Sequence, residues 1–258
     1  MRSGQAPTPT PTPRLPVSTG EMLSGSYGFG PVAVETKHGN GDLITLLDIL
    51  GIGGPFQVVS PWELTDPAGR HLIHAGGYAA VPFGEAYPPL LDFIREFMSA
   101  NRQLGFPQQS ASEWRAALES NLVALLASVA PGHADSKVFL TNSGAEAVEA
   151  AIKMARAHRP AASLFINFER AYHGKTLGAL ALTPSEEYQA PFRPLSPDVL
   201  TVPFGDEAAL TRALTEHGSR VVGIVIEPVQ GEGGVMRPPD GYLARVGELA
   251  RQHGVLVI

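Results

Sequence analysis

An α/β fold, with a mostly parallel sheet covered by helices, is what the sequence predicts, on three observations. Beyond residue 137 short apolar runs alternate with longer stretches of helical period, the βαβ order of a parallel sheet. With 258 residues, 44% of them apolar and 17% charged, the chain can bury one α/β domain and part of a second. Small and polar residues also cluster just after the apolar runs, where parallel sheets bind their ligands.

Taken in order, residues 1–16 are rich in Pro and Thr, which alternate from Pro7 to Pro13, with fixed φ angles and nothing to bury, and read as a disordered tail. From Gly20 to Gly84 the chain is rich in Gly and Pro and reads as loops and short strands, with apolar runs at Leu43-Ile44-Thr45-Leu46-Leu47 and Val58-Val59. Leu90, Leu91, Ile94, Phe97 and Met98 recur at helical spacing. So do Leu118, Leu122, Leu125, Leu126 and Val129, after Ser112 and before the stop at Pro131-Gly132. The alternation then predicts strand 138–140, helix 144–158, strand 163–168, a loop and short helix, and strand 199–202. Helix 206–217, strand 221–226, helix 240–253 and strand 255–258 complete it. The organisation expected is a tail (1–16), an N-terminal segment with its lead-in helix (17–110) and a ligand-binding large domain (111–258).

Composition excludes several function classes. A formal charge of −6 and the lack of any Lys/Arg run leave no attraction for nucleic acid or an anionic membrane. The sequence has no cysteine, which excludes disulfides and thiolate metal sites and agrees with a cytoplasmic location. It shows no signal-peptide core and no stretch of about 18 apolar residues, so neither export nor a membrane anchor is expected. His158, His217 and His253 fall near helix C-termini, and His71-x-x-His74 lacks further ligands, so no metal site is expected.

Three segments carry the chemistry. Ser143-x-x-Glu146 has the form of a capping box, followed by an apolar stripe of Ala147, Val148, Ala151, Ile152 and Ala155, with Glu149 and Lys153 on the exposed face. A cap alone explains a helix start; small residues after a strand, with Gly144 allowing close approach, also make a phosphate site of free amides and helix dipole. Tyr172-His173-Gly174-Lys175-Thr176 ends like a nucleotide-binding loop, but Glu169 stands where that loop requires glycine. The run Gly51-Ile52-Gly53-Gly54 leads into Pro55 rather than a helix, which removes the dinucleotide pattern. Tyr172 suits either core packing or a stacking platform for a planar ring. In Ile226-Glu227-Pro228-Val229-Gln230-Gly231-Glu232-Gly233-Gly234 a carboxylate stands at a strand end, in a solvated loop or in a positioned polar cluster.

In this order and separation, Asn142-Ser143-Gly144-Ala145-Glu146-Ala147, Tyr172-His173-Gly174-Lys175-Thr176 and the Glu227 segment resemble the class III pyridoxal-phosphate-dependent aminotransferases. The resemblance runs from about residue 60 to Ile258. It implies the fold-type I transferase architecture, a homodimer, and pyridoxal 5'-phosphate as cofactor. It further implies that Ser143, Gly144 and Ala145 bind the phosphate, Tyr172 stacks on the pyridine ring with His173 beside it, and Glu227 supports the ring-nitrogen side. Glu232 matches the acid that pairs with a substrate-gating arginine in the acetylornithine, ornithine and 4-aminobutyrate branches. The activity implied is transfer of an amino group from an amino acid or ω-amino donor to a 2-oxo acid.

Two departures from the family pattern stand out. Phe83-Gly84-Glu85-Ala86-Tyr87-Pro88 replaces the usual Gly-His stretch. Val255-Leu256-Val257-Ile258 matches the strand that the family follows with Asp-Glu-x-Gln and, later, the Schiff-base lysine. None of Lys37, Lys137, Lys153 and Lys175 matches that lysine. The expectation is therefore a chain carrying only the N-terminal part of the site, without the catalytic lysine and inactive alone. The alternatives are a non-catalytic binding or dimerisation partner of a full-length homologue, or an enzyme similar to glutamate-1-semialdehyde aminomutase.

Overall fold

The computed structural model describes residues 17–25, 28–75, 82–100 and 110–258, so the Pro/Thr tail expected at 1–16 lies outside the described residues. The chain divides into two compact units, Met1–Gln108 and Gln109–Ile258.

The first unit begins with helices α1 (Thr19–Ser24), α2 (Pro31–His38) and α3 (Gly41–Ile49), not with the loops and short strands expected there. The run Leu43–Leu47 is helical because local caps outweigh its β-like composition. The Asn40 side chain accepts from the Leu43 N–H at 3.1 Å, and the Thr45 hydroxyl donates to the Gly41 carbonyl at 2.7 Å. Val58-Val59 does form a strand. β1 (Gln57–Ser60), β2 (Glu63–Thr65) and β3 (His71–Ile73) make an antiparallel meander, and α4 (Pro88–Ser99) follows, with proline at its first turn. His71 and His74 pair with Glu63 and Glu85 in this unit.

The second unit holds the site. It opens with α5 (Glu113–Val129), capped by Ser112, and continues through α6 (Gly144–His158), β4 (Leu164–Phe168), α7 (Leu177–Ala181), α8 (Glu186–Gln189) and β5 (Asp198–Val202). It ends with α9 (Glu207–His217), β6 (Val221–Ile224), α10 (Tyr242–His253) and β7 (Leu256–Val257). The four strands form one parallel sheet in the order β5-β4-β6-β7.

Both faces of that sheet are covered, which is why β4 reads Leu-Phe-Ile-Asn-Phe without alternation. Leu164, Ile166 and Phe168 pack with Leu210 and Leu214 of α9 and Val246 and Leu249 of α10. Phe165 faces the other way, among Ile152 and Ala155 of α6, Leu182 and Val222. Asn167, fully buried, donates from Nδ2 to the Leu182 carbonyl at 2.8 Å. Phe168, Phe204 and Tyr242 close the carboxyl end of the first cluster with edge-to-face contacts, their ring centroids 5.8–6.2 Å apart.

Residues 138–140 do not form the expected strand. Phe139 and Leu140 are exposed, at 66% and 45%, and no described strand pairs with them. An apolar run with β propensity becomes a strand only where a neighbour accepts its hydrogen bonds.

Candidate active site

The strand order fixes where a ligand fits. From β4 the chain runs to β5 on one side, and from β6 it runs to β7 on the other, so the connections diverge at the carboxyl ends of β4 and β6. Such a divergence leaves a crevice in parallel sheets. The turn after β4 carries Tyr172-His173-Gly174 and the segment after β6 carries Glu227, and these two meet there.

Glu227 ties the walls together. Its Oε2 accepts from the Tyr172 N–H at 3.0 Å and its Oε1 from the Gly231 N–H at 3.3 Å. One half-buried carboxylate thus holds the aromatic turn and the glycine-rich loop, and each oxygen keeps a further lone pair. Gln230, part of the polar cluster read from the sequence, adds a second tie whose partner no local pattern names. Buried to 1% exposure, it donates from Nε2 to the Glu169 carbonyl at 2.9 Å, while its backbone pairs with Met236 to close the loop. Glu232 sits exposed within that loop, with no ion-pair partner among the described residues.

The start of α6 forms the third wall. The Ser143 hydroxyl accepts from the Glu146 N–H at 3.2 Å, as a cap does, but the Glu146 carboxylate reaches back to the Asn142 N–H at 2.7 Å rather than to that of Ser143. The reciprocal half of the capping box is therefore displaced by one residue. Among the described residues no hydrogen bond uses the N–H of Gly144 or Ala145, and a Cβ on Gly144 would meet nothing within 4 Å. Two helix-terminal donors and a serine hydroxyl remain open to an anion. Removing the cap with Ser143→Ala should cost about 1 kcal/mol of stability, read as a lower urea midpoint at unchanged slope.

Gly174 joins this wall to the aromatic turn. Its φ is +121°, and a Cβ there would stand 2.7 Å from the Ala145 Cβ. The Tyr172-His173-Gly174 turn is thus pressed onto the first turn of α6.

His173 is partly buried, and burial holds its imidazole pKa below the ordinary value while the Glu227 charge partly offsets that shift. Its Nε2 has no hydrogen-bond partner among the described residues. Glu149, expected on the exposed face of α6, instead points inward: its carboxylate accepts from the N–H groups of Gly178 and Ala179 at 2.8 and 3.3 Å, capping α7. Lys175 lies outside the crevice, with Nζ 4.2 Å from the centre of the Tyr188 ring.

The sequence model of the family described as "Aminotransferase class-III" matches residues 62–258. An acetylornithine aminotransferase from Methanopyrus kandleri is 35% identical over 209 residues, covering 79% of this chain and 49% of its own. Aminotransferase PigE of a Serratia species is 37% identical over 222 residues, 84% of this chain and 24% of that protein. Among solved structures, an (S)-enantioselective omega-transaminase from Thermomicrobium roseum superposes with a TM-score of 0.68 at 26% identity, covering 88% of this chain and 55% of that one. The chain spans about half the length, or less, of these relatives.

Proposed function

The chain belongs to the class III aminotransferases, and on that premise we propose that it supplies the phosphate, ring-stacking and gating groups of a pyridoxal 5'-phosphate site. The whole protein would move an amino group from an amino acid or ω-amino donor to a 2-oxo acid. One observation carries this reading: the Tyr172 N–H on Glu227, and Gly174 against Ala145, bring the three motif segments to one end of one sheet.

The residues fit the cofactor. Unspent N–H groups of Gly144 and Ala145 and the Ser143 hydroxyl suit a phosphate dianion, and the space beside Gly144 admits it. When bound, the cofactor supplies a protonated pyridine that withdraws electrons from the carbon losing or gaining the amino group. Tyr172 fixes the plane of the ring, His173 lies beside it with Nε2 free to pair, and Glu227 supports the ring-nitrogen side through its remaining lone pairs. Glu232, exposed on its loop, would pair with an arginine that alternately admits a substrate carboxylate. Residues 111–258 form the cofactor-binding part in this reading.

A homodimer in the cytoplasm completes the proposal. The dimer is supported by Leu118, Leu122, Leu125, Leu126 and Val129 of α5, all at least 40% exposed, a face suited to cover by a second copy. The cytoplasmic placement is supported by the cysteine-free sequence. Among the described residues no helix is long and apolar enough to cross a membrane.

Calorimetric titration of the 258-residue chain tests the cofactor reading. Pyridoxamine 5'-phosphate, which has no aldehyde to react with surface lysines, should bind about tenfold or more tightly than pyridoxamine, and equal affinities would overturn the reading. Lys37, Lys137, Lys153 and Lys175 are all exposed. Treatment with pyridoxal 5'-phosphate and borohydride should accordingly give only partial adducts scattered among them, which pyridoxamine 5'-phosphate does not compete, and no stoichiometric adduct on a single lysine. One such adduct, competed by pyridoxamine 5'-phosphate, would show that this chain carries its own catalytic lysine.

A further inference from the structure

We propose that Thr183 is a positioning residue whose hydroxyl holds the peptide planes of His173 and Gly174 against the N-terminus of α6. What the held turn binds rests on the reading above; the hold itself does not.

Thr183 is 2% exposed and lies ten residues beyond His173, past α7. Its Oγ1 accepts from the His173 N–H at 2.9 Å and stands 3.1 Å from both the Gly174 and the Ala179 carbonyl oxygens. A hydroxyl has one proton, so it serves those two carbonyls by turns or by sharing. The link to Ala179 is an i−4 bond that keeps the side chain at the end of α7, and the links to His173 and Gly174 bring the aromatic turn back onto that post.

The post is itself fixed. The Glu149 carboxylate receives the first free amides of α7, and Gln189 donates from Nε2 to the carbonyls of Leu180 and Thr183 at 3.0 and 2.9 Å. Gly174 in turn touches Ala145, whose N–H is one of the open donors of the phosphate wall. Thr183 therefore sets the distance between the group that orients the ring and the group that holds its phosphate. Nothing in the local sequence demands a hydroxyl here, because a buried threonine after a helix fits a valine-shaped space equally well. The three polar contacts are what select it.

Thr183→Val keeps the shape and removes both the acceptor and the donor; Thr183→Ser keeps both. The test compares them in the 258-residue chain by hydrogen exchange at the His173 amide and by titration with pyridoxamine 5'-phosphate. Thr183→Val should raise the His173 exchange rate at least about tenfold and weaken the phosphorylated ligand about tenfold, with Thr183→Ser within about threefold of wild type on both. Wild-type protection and affinity in the valine variant, or a serine variant as impaired as valine, would overturn the proposal. Absence of phosphate-dependent binding in the wild-type chain would refute the cofactor reading instead, and His173 exchange would then decide the role of Thr183 alone. Should the valine variant not fold, Thr183→Cys, whose thiol is a weak donor and acceptor, replaces it with the same readouts and the same criteria.

Discussion

Gly174→Ala should cost about 2–6 kcal/mol of folding stability and abolish phosphate-dependent binding of pyridoxamine 5'-phosphate. Two costs add. A φ of +121° is one that an L side chain adopts only under strain, worth about 1–3 kcal/mol. The new methyl would also lie 2.7 Å from the Ala145 Cβ, 3.0 Å from its Cα and 3.1 Å from the Ala179 Cβ, so relief requires a shift of helix backbone rather than of a flexible side-chain tip. Overpacking of that kind costs a further 1–3 kcal/mol or so. The movement that relieves it separates the aromatic turn from the first turn of α6, which is the juxtaposition the proposed cofactor site needs.

Gly144→Ala is the informative control. A Cβ there meets no described atom within 4 Å, so the urea midpoint should stay near wild type while the space proposed for the phosphate is filled. If Gly174→Ala unfolded at the wild-type midpoint, the close packing of the turn on α6 would be refuted. If Gly144→Ala bound pyridoxamine 5'-phosphate normally, the phosphate would sit elsewhere.

The contrast between the two glycines bears on how much of this molecule can be read from its sequence. From Gly144 onward the elements follow the periodicity closely, because β4 is an apolar run broken only by Asn167 and α6, α9 and α10 each bury one stripe against the sheet. Position 174 reads as part of a motif, but the reason it must be glycine lies in Ala145, twenty-nine residues away. The hold of Thr183 on the aromatic turn, the inward turn of Glu149 and the particular tie made by Gln230 are illegible for the same reason: those partners stand 9 to 61 residues away in sequence, and no local pattern announces a side chain that will bond another segment's backbone.

The first unit failed differently. Asn40 and Asp42 before Leu43–Leu47, and Ser18 with Glu21, are helix-start signals that were present in the sequence. High Gly and Pro content obscured them, and an apolar run of five residues has no period long enough to separate strand from helix. At residues 138–140 local propensity was correctly apolar and extended, yet strand formation depends on a neighbour that propensity does not describe.

Glu227→Gln should be nearly as damaging as Glu227→Ala, with about 2–4 kcal/mol lost, because the carboxylate's service here is to accept twice. Both of its oxygens take backbone N–H groups, from Tyr172 and Gly231. A glutamine offers one accepting oxygen and sets an NH2 group against the other amide, so one wall of the crevice is released whichever way the side chain turns. A glutamine variant with the wild-type urea midpoint and an ordered glycine-rich loop would show that the two amides do not need the carboxylate.

His173 supplies a second, independent reading of the same substitution. Burial lowers its pKa from 6.5 and the Glu227 charge opposes that shift, so neutralising residue 227 should lower the imidazole pKa further. The unfolded chain then binds a proton that the folded chain refuses. Stability from this group is complete above about pH 6.5 and is lost as pH falls toward the folded value, and the variant extends that loss to lower pH. Nuclear magnetic resonance titration of the His173 ring in the two proteins checks the sign. An upward shift in the variant would mean that Glu227 does not act on the imidazole through its charge, and that only the amide contacts join the two walls.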